Sequence, residues 1–187
     1  MQSIKDIIQE SIAAKNELFS QADMLEKISN VISEALMRGN KILIFGNGGS
    51  AADSQHIAAE LVGRYKLERK GLPAIALTTD SSILTAVSND YDYNRVFSRQ
   101  VEALASPSDI LLGISTSGNS QNVLNAFARG KEIGTVNISL TGRDGGKLKA
   151  MSDYNINCPA KETARIQECH MTAYHIICEL VEREALK

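Results

Sequence analysis

From Lys41 onward, short β-rich runs alternate with helical stretches, and this alternation constrains the fold more than any other feature of the chain. The runs are Ile42 to Phe45, Ala74 to Leu77, Ile110 to Ile114, Val136 to Leu140 and Tyr154 to Ile156. Most are apolar at nearly every position, as strands buried on both faces must be, rather than alternating as strands with one wet face do. Strands separated by helices favour a parallel sheet, because a parallel connection needs a crossover long enough to hold a helix. The expected class is therefore α/β, a five-stranded parallel sheet of flavodoxin-like order with helices on both faces, plus N-terminal helices.

Those N-terminal helices are read from spacing. Ile4, Ile8 and Ile12 recur every fourth residue, and Leu25, Ile28, Ile32 and Leu36 repeat at intervals of three and four. A long terminal helix begins near Thr163, with Ile166, Cys169, Ala173, Ile176 and Leu180 on one stripe. This is more amphipathic helix than five strands require, so residues 1–40 are expected to pack in a homo-oligomer around a core of residues 41–187. With 187 residues, 43% of them hydrophobic, and no linker or repeat, one domain spanning 1–187 is expected.

Several function classes are disfavoured. The net charge is -2 and the cations are scattered among acids, which argues against nucleic acid. Lys5 and Asp6 interrupt the first apolar residues, unlike a signal peptide, and no stretch approaches the ~20 apolar residues that span a bilayer. Cys158, Cys169 and Cys178 form no CxxC pair, consistent with reduced buried thiols and a cytoplasmic location.

Two loops have the chemistry to hold an anion. The first strand runs into Gly46-Asn47-Gly48-Gly49-Ser50 and then a helix, where glycines let a ligand approach the backbone and helix N–H groups favour negative charge. The third runs into Ser115-Thr116-Ser117-Gly118-Asn119-Ser120, four hydroxyls where a helix cap needs one. In flavodoxin-like order the first and third strands are neighbours, so both loops face the crevice at the topological switch point. Gly46, Gly48 and Ala51 also fit G-x-G-x-x-A, with Asp80 as a candidate ribose-binding acid, but a nicotinamide enzyme needs a substrate domain for which the chain has no room, and no nucleotide is expected. Thr141-Gly142-Arg143-Asp144-Gly145-Gly146-Lys147 lacks P-loop spacing and reads as a turn into the next helix.

Candidate proton-moving groups follow. His56 and Glu60 are four apart and share a helix face, where an imidazole and a carboxylate can bind a metal or act as an acid/base pair. The terminal helix adds Gln167, Glu168, His170 and His175; the two histidines lie about 140° apart around the helix and cannot both face one pocket. A carboxylate and an imidazole suit aldose–ketose isomerisation, in which one proton leaves the carbon beside a carbonyl and another reaches its oxygen.

Together, Gly46-Asn47-Gly48-Gly49-Ser50, His56 with Glu60, Gly63-Arg64-Tyr65, Asn89-Asp90, the Gly113 to Ser120 run, and Arg165-Ile166-Gln167-Glu168 leading to His175 resemble the sugar-isomerase (SIS) domain family, and within it the bacterial phosphoheptose isomerases. The likeness covers nearly the whole chain. It implies conversion of sedoheptulose 7-phosphate to D-glycero-D-manno-heptose 7-phosphate through an enediol, for lipopolysaccharide core or capsule. It implies that Ser50, Ser115, Thr116, Ser117 and Ser120 hold the phosphate and that Asn47, Gly48, Gly49, Asn89, Asp90, Glu60 and Gln167 contact the sugar. Glu60 would be the general base and His175 the general acid, with one zinc per subunit on His56, Glu60, Gln167 and His175. It also narrows the oligomer to a tetramer. Ala164 departs from relatives that carry an aspartate there. The alternatives are a non-catalytic SIS protein binding a replication initiator, and an SIS domain acting on another phosphosugar.

Gln167 and His175 are eight residues apart, about 12 Å along one helix axis, which is long against zinc bonds of about 2.0–2.2 Å. The two are thus expected to reach a given site from different chains, or one of them to serve the neighbour's pocket, which places the sites at subunit interfaces; hybrids of Glu60→Ala and His175→Ala subunits decide whether that pair is shared across the boundary.

Overall fold

The computed structural model describes residues 2–187. Two helices, α1 (Ile4–Asn16) and α2 (Ala22–Met37), precede β1 (Ile42–Gly46), α3 (Gly49–Val62), β2 (Ala74–Ala76), α4 (Ser81–Asp90) and α5 (Val96–Leu104). Then come β3 (Ile110–Ser115), α6 (Gln121–Ile133), β4 (Val136–Gly142), α7 (Gly146–Met151), β5 (Tyr154–Cys158) and α8 (Thr163–Glu184). The strands are all parallel in the order β2-β1-β3-β4-β5, with Ile42 of β1 opposite both Ala74 and Ile110. This is the expected flavodoxin-like order, reversing direction between β1 and β3.

Alternate strand residues face opposite helix layers. Ile42, Ile44, Ile110, Leu112, Ile114, Ile138, Leu140 and Ile156 pack against α1, α2, α3 and α8. Leu43, Phe45 and Leu111 pack against α5, α6 and α7, where Phe45 meets Phe97 at 5.3 Å and Phe127 edge-on at 6.0 Å between ring centroids. Each such fully buried side chain contributes roughly 1.5–3 kcal/mol relative to exposure.

The surplus helix divides. Leu25, Ile28, Ile32 and Leu36 of α2 are buried against the chain's own sheet and α8, so the expectation that all of residues 1–40 packs in an oligomer is corrected for α2. α1 keeps Ile4, Ile7, Ile8 and Ile12 exposed, and Phe19 beyond it is 81% exposed. On α8 the buried face is Ile166, Cys169, Ala173, Tyr174, Ile177, Cys178 and Val181, whereas Ile176, read as part of that stripe, is exposed. A groove of about 540 Å³ lined by Leu18, Phe19, Leu25, Ile176 and Leu180 lies between α1, α2 and α8. Among the described residues, no helix is long and apolar enough to cross a membrane.

Candidate active site

The carboxyl ends of β1 and β3 are neighbours, Gly46 pairing with Ile114, so the two anion-type loops lie side by side at the switch point. Ser120 occupies the N-cap position of α6 but its hydroxyl caps nothing: it meets the Ser115 hydroxyl at 3.0 Å. These two hydroxyls are thus paired with each other; Val123 N–H donates to Asn122 Oδ1 at 3.0 Å, while the N–H groups of Gln121 and Asn122 keep no side-chain cap. Asn47 and Asn122 exchange two amide hydrogen bonds of 2.9 Å, tying the first loop to α6, and the Tyr93 hydroxyl donates to Asn47 Oδ1 at 3.2 Å.

The third glycine-rich loop leads into α7, and it also props the serine loop. Gly118 has φ +64°, and a side chain there would overlap the carbonyl of Gly145. Leu148 N–H donates to Gly118 O at 2.9 Å and Lys147 N–H to Asn119 Oδ1 at 3.2 Å. Its glycines let two loops touch backbone to backbone.

Further along α3, His56 and Glu60 meet, with Nε2 and Oε1 3.0 Å apart. His175 on α8 completes a group in which one ligand atom from each of His56, Glu60 and His175 lies within 4.8 Å of the others. The His175 ring stands edge-on to His56 at 5.1 Å and to Tyr174 at 4.8 Å, and 5.8 Å from Tyr65. Partial burial, joined by the His56 ring, pushes His175 below its ordinary value, against the pull of Glu60. His175 is therefore a neutral imidazole near pH 7.

A buried ion pair fixes the Glu60 end of this group. Arg69 and Glu182 side chains are each 2% exposed, with Nε 3.4 Å from Oε2. Arg69 Nη2 donates to Glu60 O at 2.9 Å and Nη1 to Leu61 O at 2.8 Å. Glu182 accepts the N–H groups of Tyr65, Lys66 and Leu67 at 2.8, 2.7 and 2.8 Å. The end of α3 and the strap after it are thereby tied to the helix that carries His175.

The SIS-domain family matches residues 6–142. The phosphoheptose isomerase of Aliarcobacter butzleri is 57% identical over 94% of this chain and 92% of its own. The phosphoheptose isomerase structure from Neisseria gonorrhoeae has a TM-score of 0.91 at 45% identity, covering 96% of this chain and 97% of that one. The one from Francisella tularensis has a TM-score of 0.93 at 36% identity, covering 98% and 100%. The chain belongs to the phosphoheptose isomerase family of SIS domains.

In this phosphoheptose isomerase-family fold, the residues singled out from sequence fall into three places. Asn47, Gly48, Gly49 and Ser50 line the β1 turn, Ser50 being buried, and Ser115, Thr116, Ser117 and Ser120 form the adjacent loop. Asn89 and Asp90 end α4, bonded to each other at 2.9 Å, close in sequence to Tyr93, which reaches Asn47. Glu60, His56 and His175 come together from one chain, so this group forms without a residue from a neighbouring subunit. Gln167 rests on the backbone of Gly49, where a methyl group would overlap its amide, at the loop end of α8.

Asp80 is not a ribose ligand: its carboxylate caps α4 by accepting Ile83 N–H at 2.9 Å. Ala164 is exposed in the first turn of α8. His170 is buried in the core, donating from Nε2 to Thr141 O at 2.8 Å, away from the His175 group as the 140° separation requires. Sequence reasoning missed Asn122, Tyr93, Arg69, Glu182, Asp53 and Tyr174. Only Asn122 carried a usable signal, a polar residue in the first turn after a hydroxyl loop.

Proposed function

We propose that this chain isomerises sedoheptulose 7-phosphate to D-glycero-D-manno-heptose 7-phosphate, by proton transfer through an enediol. The observation that carries the reading is the meeting of Glu60 and His175 within one chain, a carboxylate beside a neutral imidazole, in a fold whose paired serine loop suits a phosphate dianion. The names of the relatives above, phosphoheptose isomerases, supply the substrate class.

In this reading the hydroxyls of Ser115, Thr116, Ser117 and Ser120 turn toward the phosphate together with the open N–H groups of α6. Asn47, Gly48, Gly49, Ser50, Asn89, Asp90 and Gln167 contact the sugar. Glu60 removes the carbon-bound proton next to the carbonyl and returns it to the neighbouring carbon. His175, neutral at rest, passes a proton between the two enediol oxygens. Arg69 holds the Glu60 backbone so that the carboxylate keeps its reach.

His56, Glu60 and His175 also fit a divalent cation: two imidazoles and a carboxylate are ligand types zinc takes, and their ligand atoms already lie within 4.8 Å of one another. Such an ion would polarise the substrate carbonyl. Gln167, whose amide lies against Gly49, is the fourth ligand in this reading. The open faces of α1 and Phe19, with the groove beside α8, supply an interface for a homotetramer. The free, buried Cys158, Cys169 and Cys178 accord with a reducing cytoplasm.

The test is product formation followed by NMR with sedoheptulose 7-phosphate and fructose 6-phosphate in parallel, with and without added zinc. Turnover of the heptulose alone is expected. No turnover of either sugar would overturn the reading, and preference for fructose 6-phosphate would reassign the substrate.

A further inference from the structure

Tyr174 is fully buried on α8, next to His175 in sequence, and its hydroxyl is placed between two polar side chains of α3. It lies 3.3 Å from Asp53 Oδ1 and 3.0 Å from His56 Nδ1. A phenol has one proton to give. An ionised carboxylate only accepts, so that proton goes to Asp53, and the phenol oxygen is left to accept from His56. The proton of His56 therefore sits on Nδ1, and its lone pair on Nε2.

That assignment bears on the other side of the ring. Nε2 stands 3.0 Å from Glu60 Oε1. With Nδ1 protonated, a neutral His56 directs a lone pair at a carboxylate oxygen, an unfavourable contact that the Tyr174 and Asp53 bonds must outweigh in the metal-free protein and that a cation lying with both atoms would relieve. The order Asp53, Tyr174, His56, then a vacant lone pair facing Glu60 and His175 is the arrangement that outer hydrogen bonds impose on a metal-ligating histidine. The Tyr174 ring also stands edge-on to His56 at 5.5 Å between centroids and to His175 at 4.8 Å, so it limits the tilt of both imidazoles.

We propose that Tyr174, backed by Asp53, is a positioning residue that keeps His56 protonated on Nδ1 and so aims Nε2 at a divalent cation shared with Glu60 and His175. The inference rests on the reading that such a cation binds there, and its first consequence is measurable without one.

The chain has three histidines, which makes a direct test practicable. In metal-free, ¹⁵N-labelled protein at mildly alkaline pH, two-bond nitrogen–proton spectra report which ring nitrogen carries the proton. His56 is expected in the Nδ1–H form, and His170, donating from Nε2 to Thr141 O, serves as the opposite reference in the same spectrum. Tyr174→Phe is expected to shift His56 toward a mixture of forms. It should also weaken cobalt(II) binding, read from the visible spectrum of the bound ion, by about 10- to 100-fold, while the His170 signals stay unchanged. Wild-type His56 in the Nε2–H form overturns the proposal, even if Tyr174→Phe does not fold. So does a folded Tyr174→Phe that keeps the wild-type tautomer and cobalt affinity. If wild type takes up no cobalt, the metal reading fails, and the His56 tautomer still decides the role of Tyr174.

Discussion

Arg69 and Glu182 oppose each other as an ion pair with both side chains 2% exposed, and between them they take up the backbone at both ends of the strap that follows Glu60. The Nε to Oε2 approach of 3.4 Å is charge contact rather than a hydrogen bond, and Arg69 Nε has no hydrogen-bond partner. The pair therefore works through the carbonyls and N–H groups it gathers. Removing one member of a buried pair leaves an uncompensated charge, which costs about 3–5 kcal/mol. Glu182→Ala is expected to lower the unfolding midpoint by roughly 6–20 °C, at about 2–4 °C per kcal/mol for a chain of this size. Calorimetry checks it; a midpoint within a degree of wild type would show that the clamp is not holding the strap.

Glu60 and His175 meet within one chain. Glu60→Ala and His175→Ala subunits are each expected to be inactive, and hybrids refolded from the two are expected to stay inactive, while hybrids of either with wild type retain activity. Recovery of activity in the double-mutant mixture would mean that the productive pair is formed between subunits. Glu60→Gln, which keeps shape and removes the base, is expected to lower turnover by about 10² or more with substrate still bound. In deuterated water, wild-type product should carry deuterium at the carbon that receives the transferred proton; a product free of deuterium combined with full activity in Glu60→Gln would point to a hydride shift.

Phosphate affinity is expected to rest on the serine loop. Ser120 bonds to Ser115 instead of capping α6, so its hydroxyl is free to turn to a ligand without cost to the helix. A lost charge-assisted hydrogen bond costs about 1.5–3 kcal/mol. Ser117→Ala and Ser120→Ala should each raise KM by about tenfold or more with the melting midpoint unchanged. KM values equal to wild type in both variants would remove the loop from the site.

Which of these features the sequence made legible follows from how far their causes reach along the chain. The strands were legible because each is a short apolar run bounded by turn residues, and β1, β3 and β4 differ from expectation only by an added residue or two at their ends. His56 and Glu60 were legible as neighbours because a helix sets their separation. The stripe on α8 was misjudged at Ile176 because the helix is covered on more than one side, by α2, α3 and the sheet. Two adjacent stripes then fit the same period equally well, and the structure selects Ile177 and Cys178. Arg69 with Glu182, and Tyr174 with Asp53, had no local signature at all: a charged residue in a loop, another in a helix, and an aromatic on a core face are each ordinary alone. Their meaning arises only when α3 and α8 are brought side by side. For Gln167 and His175, spacing along α8 gave their separation but not that His175 has His56 and Glu60 of its own chain within reach.

His170 gives a prediction about acid stability in which the sign can be worked through. It is fully buried; Nε2 donates to Thr141 O at 2.8 Å and Nδ1 has no hydrogen-bond partner. Burial, opposed only by the bond to Thr141, pushes its imidazole down from 6.5 to about 4. Between these values the unfolded chain holds a proton that the folded chain refuses, so stability must rise with pH across that window. Above pH 6.5 the neutral ring is compatible with both states and the full stability is present. As pH falls from 6.5 toward 4, protonation increasingly favours the unfolded chain, with a total loss from this residue of about 3 kcal/mol at 1.36 kcal/mol per pH unit. Glu182 acts later in the same descent: burial pushes its carboxyl up, but the N–H groups of Lys66, Leu67 and Tyr65 and the Arg69 charge together hold it below 4.5. Its contribution is present above 4.5 and is lost as pH falls below that value. Urea unfolding at several pH values separates the two. His170→Gln, which keeps a donor for Thr141 and cannot be charged, is expected to flatten the slope between pH 6.5 and 4 while leaving the loss below 4.5 in place. A slope in His170→Gln equal to wild type would assign the loss between pH 6.5 and 4 to other groups.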